Sequence, residues 1–218
     1  LDVSVTAQGE VTGGILARSL GMDGAVSVTA SDRVTGGIEA TDAGLSDLTV
    51  NATDATGTAY VEGGIRAFNA GGATTVSVDN ASAAGIRALD VANTNGTGTS
   101  TALTINLNGT IDGGTVVYAD NAGSGDLTIN AGTATLTGTS NGIYTRNSNS
   151  GNLRITANSV NTTGGTGISA QNTSMGNVII DATNAAGTGQ VSGRVSGITV
   201  DNGSGGDVTI TANNVTGT

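Results

Sequence analysis

Two aspartates, Asp90 and Asp120, are the first residues to weigh as chemistry in this 218-residue chain. Cleaving a glycosidic bond takes a pair of carboxyl groups that converge on one face of the substrate. The chain holds 17 acidic residues but no His and no Cys, so a Ser-His-Asp triad, a Cys-His pair and a His-based metal site are excluded. "GSGD" at 123–126 is Gly-rich, yet it lacks the Lys and the following helix of a phosphate cradle and reads as a turn. The Gly-Gly-x-Gly-x-Asp nonapeptide that binds calcium in β-rolls does not occur. The other residues with something to offer a ligand are large: three Tyr, one Phe and seven basic residues, all of them Arg. Whether any of these meet depends on the elements that carry them.

Those elements repeat. A Gly-Ile step or its equivalent recurs at Ile15, Ile38, Ile65, Ile86, Val117, Ile143, Ile168 and Ile198, about 26 residues apart, a spacing typical of solenoids. A second anchor alternates at period two, as in Val26/Val28, Leu48/Val50, Val76/Val78, Leu103/Ile105 and Leu153/Ile155, the mark of a strand with one buried face. A third, weaker anchor runs Val11, Val34, Val61, Ala83, Ile111, Leu136, Val160, Val191 and Val215. Gly and β-branched residues are too frequent for helices. Three short strands cannot close a core alone, but stacked coils bury a common aliphatic column. The expected fold is therefore all-β: a right-handed parallel β-helix (β-solenoid) with three short strands per coil, about eight coils of roughly 26 residues, each ~4.8 Å above the last. Residues 1–218 read as one such segment, a fragment of a longer chain.

Alternation then assigns the faces. After each Gly-Ile anchor the second inward position is small, as at Ala17, Ala40, Ala67, Ala88, Ala119 and Ala170. Four residues past the anchor stand Ser19, Asp42, Asn69, Asp90, Asn121, Asn147, Asn172 and Asn202, suited to a corner and to a stacked amide ladder. Asp90 thus falls in the corner and Asp120 in a different, outward row, which disfavours a catalytic pair. No catalytic, cofactor or metal residues are expected. The outward positions collect Arg66, Phe68, Arg87, Leu89, Tyr118, Tyr144 and Arg146 on one face, with Glu39 placed to pair with Arg66. Aromatic and Arg side chains are enriched at binding hot spots, so these seven form the candidate contact surface, against the plainer reading of cross-coil stacking that stiffens the rod. The opposite rows, including Ser27, Thr49, Ser77, Thr104 and Thr128 beside Thr29, Asn51, Asp79, Asn106 and Asn130, read as a solubilising β surface. Insertions fall at 51–60, 91–100 and 181–190, where loops leave the scaffold.

Net charge −10 makes a nucleic-acid partner a poor expectation, and no apolar run reaches membrane-spanning length. The absence of Cys fits an extracytoplasmic protein. The recurring "GI-x-A-x-N…G-x-L-x-I-x-A…V-x-G" pattern, clearest in "GIYTRNSNSGNLRITANSVNTTGGTGI" and "GISAQNTSMGNVIIDA", resembles the passenger domains of classical autotransporters of the type V secretion route. The resemblance covers essentially the whole chain but marks a scaffold and not an activity. It implies a cell-surface location, anchored to a Gram-negative outer membrane through a C-terminal barrel outside this sequence. It further implies adhesion to a host glycan or matrix protein, or self-association between like chains. A passive stalk is the alternative, and a polysaccharide lyase or hydrolase is the least favoured.

Overall fold

The computed structural model describes residues 1–94, 101–149, 151–203 and 205–217, and its strands stack coil over coil in parallel register. The described residues form 22 strands and no helix, winding a β-solenoid of about eight turns. One face is an eight-stranded sheet in chain order, from Ile15–Ser19 through Ile65–Asn69, Leu89–Asn93, Val117–Asn121 and Ile143–Asn147 to Ser196–Asn202. A second face runs from Val3–Ala7 to Val208–Ala212. A third, narrower one begins as bridges between Val11, Val34 and Val61 and continues through Asn80–Ala83 and Thr110–Gly113 to Asn214–Gly217. The last two faces belong to one sheet, because Leu127–Gly138 and Leu153–Thr162 bend round the corner between them without breaking, their register slipping between Ala131 and Thr135.

Alternation dictates the core. Ile15, Ile38, Ile65, Leu89, Val117, Ile143 and Ile168 form one internal file, each buried, and Ile198 caps it. Ala17, Ala40, Ala67, Val91, Ala119, Thr145 and Ala170 form the next file. At the corner the amides stack as expected. Asn121 Nδ2 donates to Asn147 Oδ1 at 3.2 Å, Asn147 to Asn172 at 3.2 Å and Asn172 to Asn202 at 3.3 Å, while each also donates to a backbone carbonyl four residues on. These bonds satisfy buried polar groups that would otherwise carry a desolvation cost.

One coil departs from the sequence expectation on all three faces. Leu89, not Ile86, occupies the internal file, pairing with Ile65 below and Val117 above, while Ile86 is 60% exposed. Val91 therefore replaces Ala88 in the second file, and Asn93 replaces Asp90 at the corner. On the second face Thr74 aligns with Leu48 and Leu103, two positions ahead of Val76. On the third, Ala81 and not Ala83 aligns with Val61 and Ile111. For Leu89 the cause is the corner. Gly85, at φ +74°, closes a turn in which Ile86 N–H donates to the Ala83 carbonyl, and the chain spends extra residues there before rejoining the sheet at Leu89.

Candidate functional site

The outward face of the eight-stranded sheet carries the candidate surface in two rows. Along the first, Arg66, Asp90, Tyr118, Tyr144 and Ser169 are vertical neighbours; along the second stand Phe68, Ala92, Asp120, Arg146 and Gln171. Because successive coils are one strand spacing apart, aromatic rings at equivalent positions must meet face to face. Tyr118 and Tyr144 do so, with centroids 5.4 Å apart and planes within 5°. Arg87 enters from the corner turn and lays its guanidinium 3.4 Å from the centroid of the Tyr118 ring. Tyr144 Oη donates to Gln171 Oε1 at 3.2 Å, and Arg66 lies 5.1 Å from the Phe68 ring.

Asp90 ties this stack together. Its carboxylate accepts from Arg87 at 2.8 Å and lies 3.8 Å from Arg66 Nε, and its side chain is only 14% exposed against 44% and 59% for the two Arg. The carboxylate is thus a floor on which two solvent-facing guanidiniums rest. Glu39 stands next to Arg66 in the ladder, as expected, but its carboxylate pairs with Arg18, and a second bridge joins Arg33 to Glu62. Two recesses open along the stack. One, of about 450 Å³, is lined by Gly63, Arg66, Ile86, Arg87 and Asp90; the other, of about 240 Å³, by Arg87, Thr115, Tyr118, Asn141 and Tyr144. Arg87 borders both.

Of the seven expected contact residues, Arg66, Phe68, Arg87, Tyr118, Tyr144 and Arg146 lie on this face. Leu89 does not: it is fully buried in the internal file, because the lengthened corner turns its side chain inward. Arg87 reaches the patch from the turn and not from the strand. Asp90, Ile86, Thr115 and Asn141 are site residues that the repeat alignment did not find. The i,i+3 spacing of Arg87 and Asp90 is the one signal in the sequence that could have found the first of them.

No family model, curated protein or solved structure matches the chain. Its chemistry must be read from its own residues.

The carboxylates do not assemble into a reactive pair. Asp90 faces Arg66 and Tyr118, whereas Asp120 sits in the neighbouring row between Ala92 and Arg146. Burial pushes the Asp120 carboxyl above its usual range, with Arg146 pulling the other way. Among the described residues no group of three or more acidic side chains is placed to hold a metal ion.

The expected loops also resolve. At 54–58 Asp54 accepts from the N–H and hydroxyl of both Thr56 and Thr58, which holds its carboxyl well below the usual range, and Gly57 turns at φ +74°. At 184–188 Asn184 Oδ1 accepts from Thr188 N–H and its Nδ2 donates to the Thr188 hydroxyl, with Gly187 at φ +68°. Both loops spend their polar groups on themselves and on the adjacent coils, as where Asn184 Nδ2 donates to Asn158 Oδ1 at 2.6 Å and Asp54 N–H to Asp79 Oδ2 at 2.8 Å, the work of a corner and not of a ligand site. Within the third expected insertion, residues 91–94 belong to the sheet and its end, and residues 95–100 lie outside those described. The opposite, polar face gains uniformity from the register of Thr74: Thr75 and Ser77 now stand in its rows in place of Ser77 and Asp79, and Asn106 donates to Ser77 while Asn130 donates to Asn106.

Proposed function

We propose that this chain is a segment of a surface-displayed adhesive rod, of the kind made by autotransporter passengers, and that it binds through the Arg66–Asp90–Arg87–Tyr118–Tyr144 stack. The observation that carries this reading is the stack itself. In a chain with four aromatic residues, three stand on one exposed face, interleaved with two guanidiniums held upright by a half-hidden carboxylate. Tyr and Arg offer large contact area at low rotamer cost, the profile of an interface anchor. The scaffold suits display, since a β-solenoid projects its outward rows from a continuous buried core. We read the chain as non-enzymatic and placed at the cell surface, with a host glycan, a matrix protein or a like chain as partner. The test is display of the rod on a non-adherent bacterium with Arg87, Tyr118 and Tyr144 all changed to Ala. Attachment or aggregation should be lost while the far-ultraviolet dichroism of the purified chain stays β. Unchanged attachment removes the reading.

A passive stalk is the second reading, and one observation favours it. Asp90, Arg87 and Tyr118 satisfy one another, as cross-coil stiffeners would. Attachment that survives the triple substitution, together with a fall in unfolding temperature, would support the stalk.

A further inference from the structure

We infer that the two recesses bordered by Arg87 form one groove for an anionic oligosaccharide, a run of pyranose rings bearing carboxylate or sulfate; this rests on the adhesive reading and names its ligand. Three features select that chemistry. The first is charge. In a protein of net charge −10, the groove sets two guanidiniums against one carboxylate, and that carboxylate is the floor while the cations face solvent. A guanidinium carries five N–H donors in a planar fork. Arg87 gives one to Asp90 and its π face to Tyr118, which leaves further donors on a side chain that lines both recesses. Arg pairs with carboxylate, sulfate and phosphate through this fork better than any other side chain.

The second feature is the lining. Ile86 is 60% exposed at one end, and the paired Tyr rings with Thr115 and Asn141 stand at the other. A pyranose presents C–H groups on its faces and hydroxyls at its rim, which matches apolar contact flanked by an amide and a hydroxyl. The third is the absence of an open strand edge at this point. Leu89–Asn93, Val117–Asn121 and Ile143–Asn147 are each paired on both sides. A peptide that docks by adding a strand needs unpaired backbone groups, and here the ladders use them. The groove runs along the rod from Arg66 to Tyr144, three coil steps, or ~14 Å, long enough for several sugar rings in sequence.

The test is titration calorimetry of the 218-residue chain with a sulfated maltohexaose and with a hexagalacturonate, alongside the unsulfated form of the first and the methyl-esterified form of the second. Binding of at least one acidic probe is expected, at least about tenfold tighter than its neutralised form and weakening with added salt. Which acidic probe binds distinguishes sulfate from carboxylate. Arg66→Gln and Arg87→Gln should each weaken it about tenfold or more, while Arg154→Gln, on another face, should not. Equal affinity for acidic and neutralised forms overturns the inference, as does indifference to both groove substitutions in chains whose dichroism is unchanged. If no probe binds but attachment still depends on Arg87, Tyr118 and Tyr144, the ligand class is wrong and the adhesive reading stands. If that dependence also fails, both fall.

Discussion

The lower coils and the coil above them turn the same corner by different means. Val-Thr-Gly-Gly-Ile at 11–15 and 34–38 and Val-Glu-Gly-Gly-Ile at 61–65 pass from the third face to the internal file in four positions, with Gly13, Gly14, Gly37, Gly63 and Gly64 all at positive φ. The next coil takes eight, from Ala81 to Leu89. A Gly-Gly corner is so close to its neighbours that it has no side chain to offer. A Cβ on Gly37 would lie 2.8 Å from the Gly64 carbonyl oxygen, and one on Gly64 would lie 2.9 Å from those of Arg87 and Ala88. The longer corner gives up that tightness and gains projection, since it carries Ile86 and Arg87 outward beside the aromatic rows. Binding residues are commonly found where a rigid scaffold supports a loop, and here the first corner to depart from the Gly-Gly form supplies Ile86 and Arg87, below further long corners such as Val160 to Ile168.

Exchanging the roles of Ile86 and Leu89 is the most direct way to break this contrast. Leu89→Ala should cost about 2–5 kcal/mol, because it opens a cavity in a file where every neighbour is fixed by the ladder. Ile86→Ala, at an exposed position, should stay within about 0.5 kcal/mol. Urea unfolding of the two variants decides it. The reverse order would restore the Gly-Ile register, which puts Arg87 in the row between Arg66 and Tyr118 and moves Asp90 to the corner.

That contest was only partly visible in the sequence. "GIRALDVAN" offers two period-two pairs, Ile86 with Ala88 and Leu89 with Val91, and alternation favours neither. Three-dimensional closure chooses. Asn93 must reach the amide corner, where its Nδ2 donates to the Gly72 carbonyl at 3.1 Å, and Ala88 must supply the carbonyl that Ile65 N–H bonds at 2.8 Å. Both demands are non-local. Thr74 shows the same limit: nothing local announces that a Thr will stand in line with Leu48 and Leu103, its hydroxyl buried without a partner. Elsewhere the files at Ile15, Ile38, Ile65 and Ile143 were legible, because the glycine before each one leaves a single apolar pair to point inward. The Tyr118–Tyr144 contact followed from that register, whereas Asp90 as the link between two Arg did not.

The tight corners yield the next effect in size. Gly64→Ala forces a Cβ against two carbonyl oxygens at φ +82°, and should cost about 1–3 kcal/mol. Gly85→Ala meets a similar backbone angle, φ +74°, but open space, so it should cost less, about 1 kcal/mol. Equal losses would mean that backbone angle alone, and not nesting of one Gly-Gly turn on the next, holds the lower corners.

Asp42 sharpens the comparison from the opposite corner. It stands below Asn69 in the amide column, accepts from Gly44 N–H at 2.9 Å, and leaves Oδ2 buried without a partner. Burial raises its pKa, with Asp47 adding to the rise and the Gly44 bond opposing it. Asp42→Asn should stabilise by about 1–2 kcal/mol at neutral pH, since an amide can donate where the carboxylate cannot. The sign with pH follows: the folded chain holds the Asp42 proton more tightly than the unfolded chain, so the penalty exists when the group is ionised. The advantage of Asn should shrink as pH falls through the raised pKa, as unfolding midpoints at neutral and acidic pH would read.

The smallest effect bears most on function. Arg87 over Tyr118 is a cation–π contact at a partly exposed site, and a double-mutant cycle with Arg87→Ala and Tyr118→Ala should give a coupling of about 0.5–1 kcal/mol. That range is what a guanidinium held for contact requires, since it stays oriented by Asp90 and the ring while most of its donors face solvent. A coupling of about 2 kcal/mol or more would mark a desolvated brace between coils and favour the stalk. A coupling near zero would mean that the ring does not hold the guanidinium, leaving Asp90 alone to orient Arg87 between the two recesses.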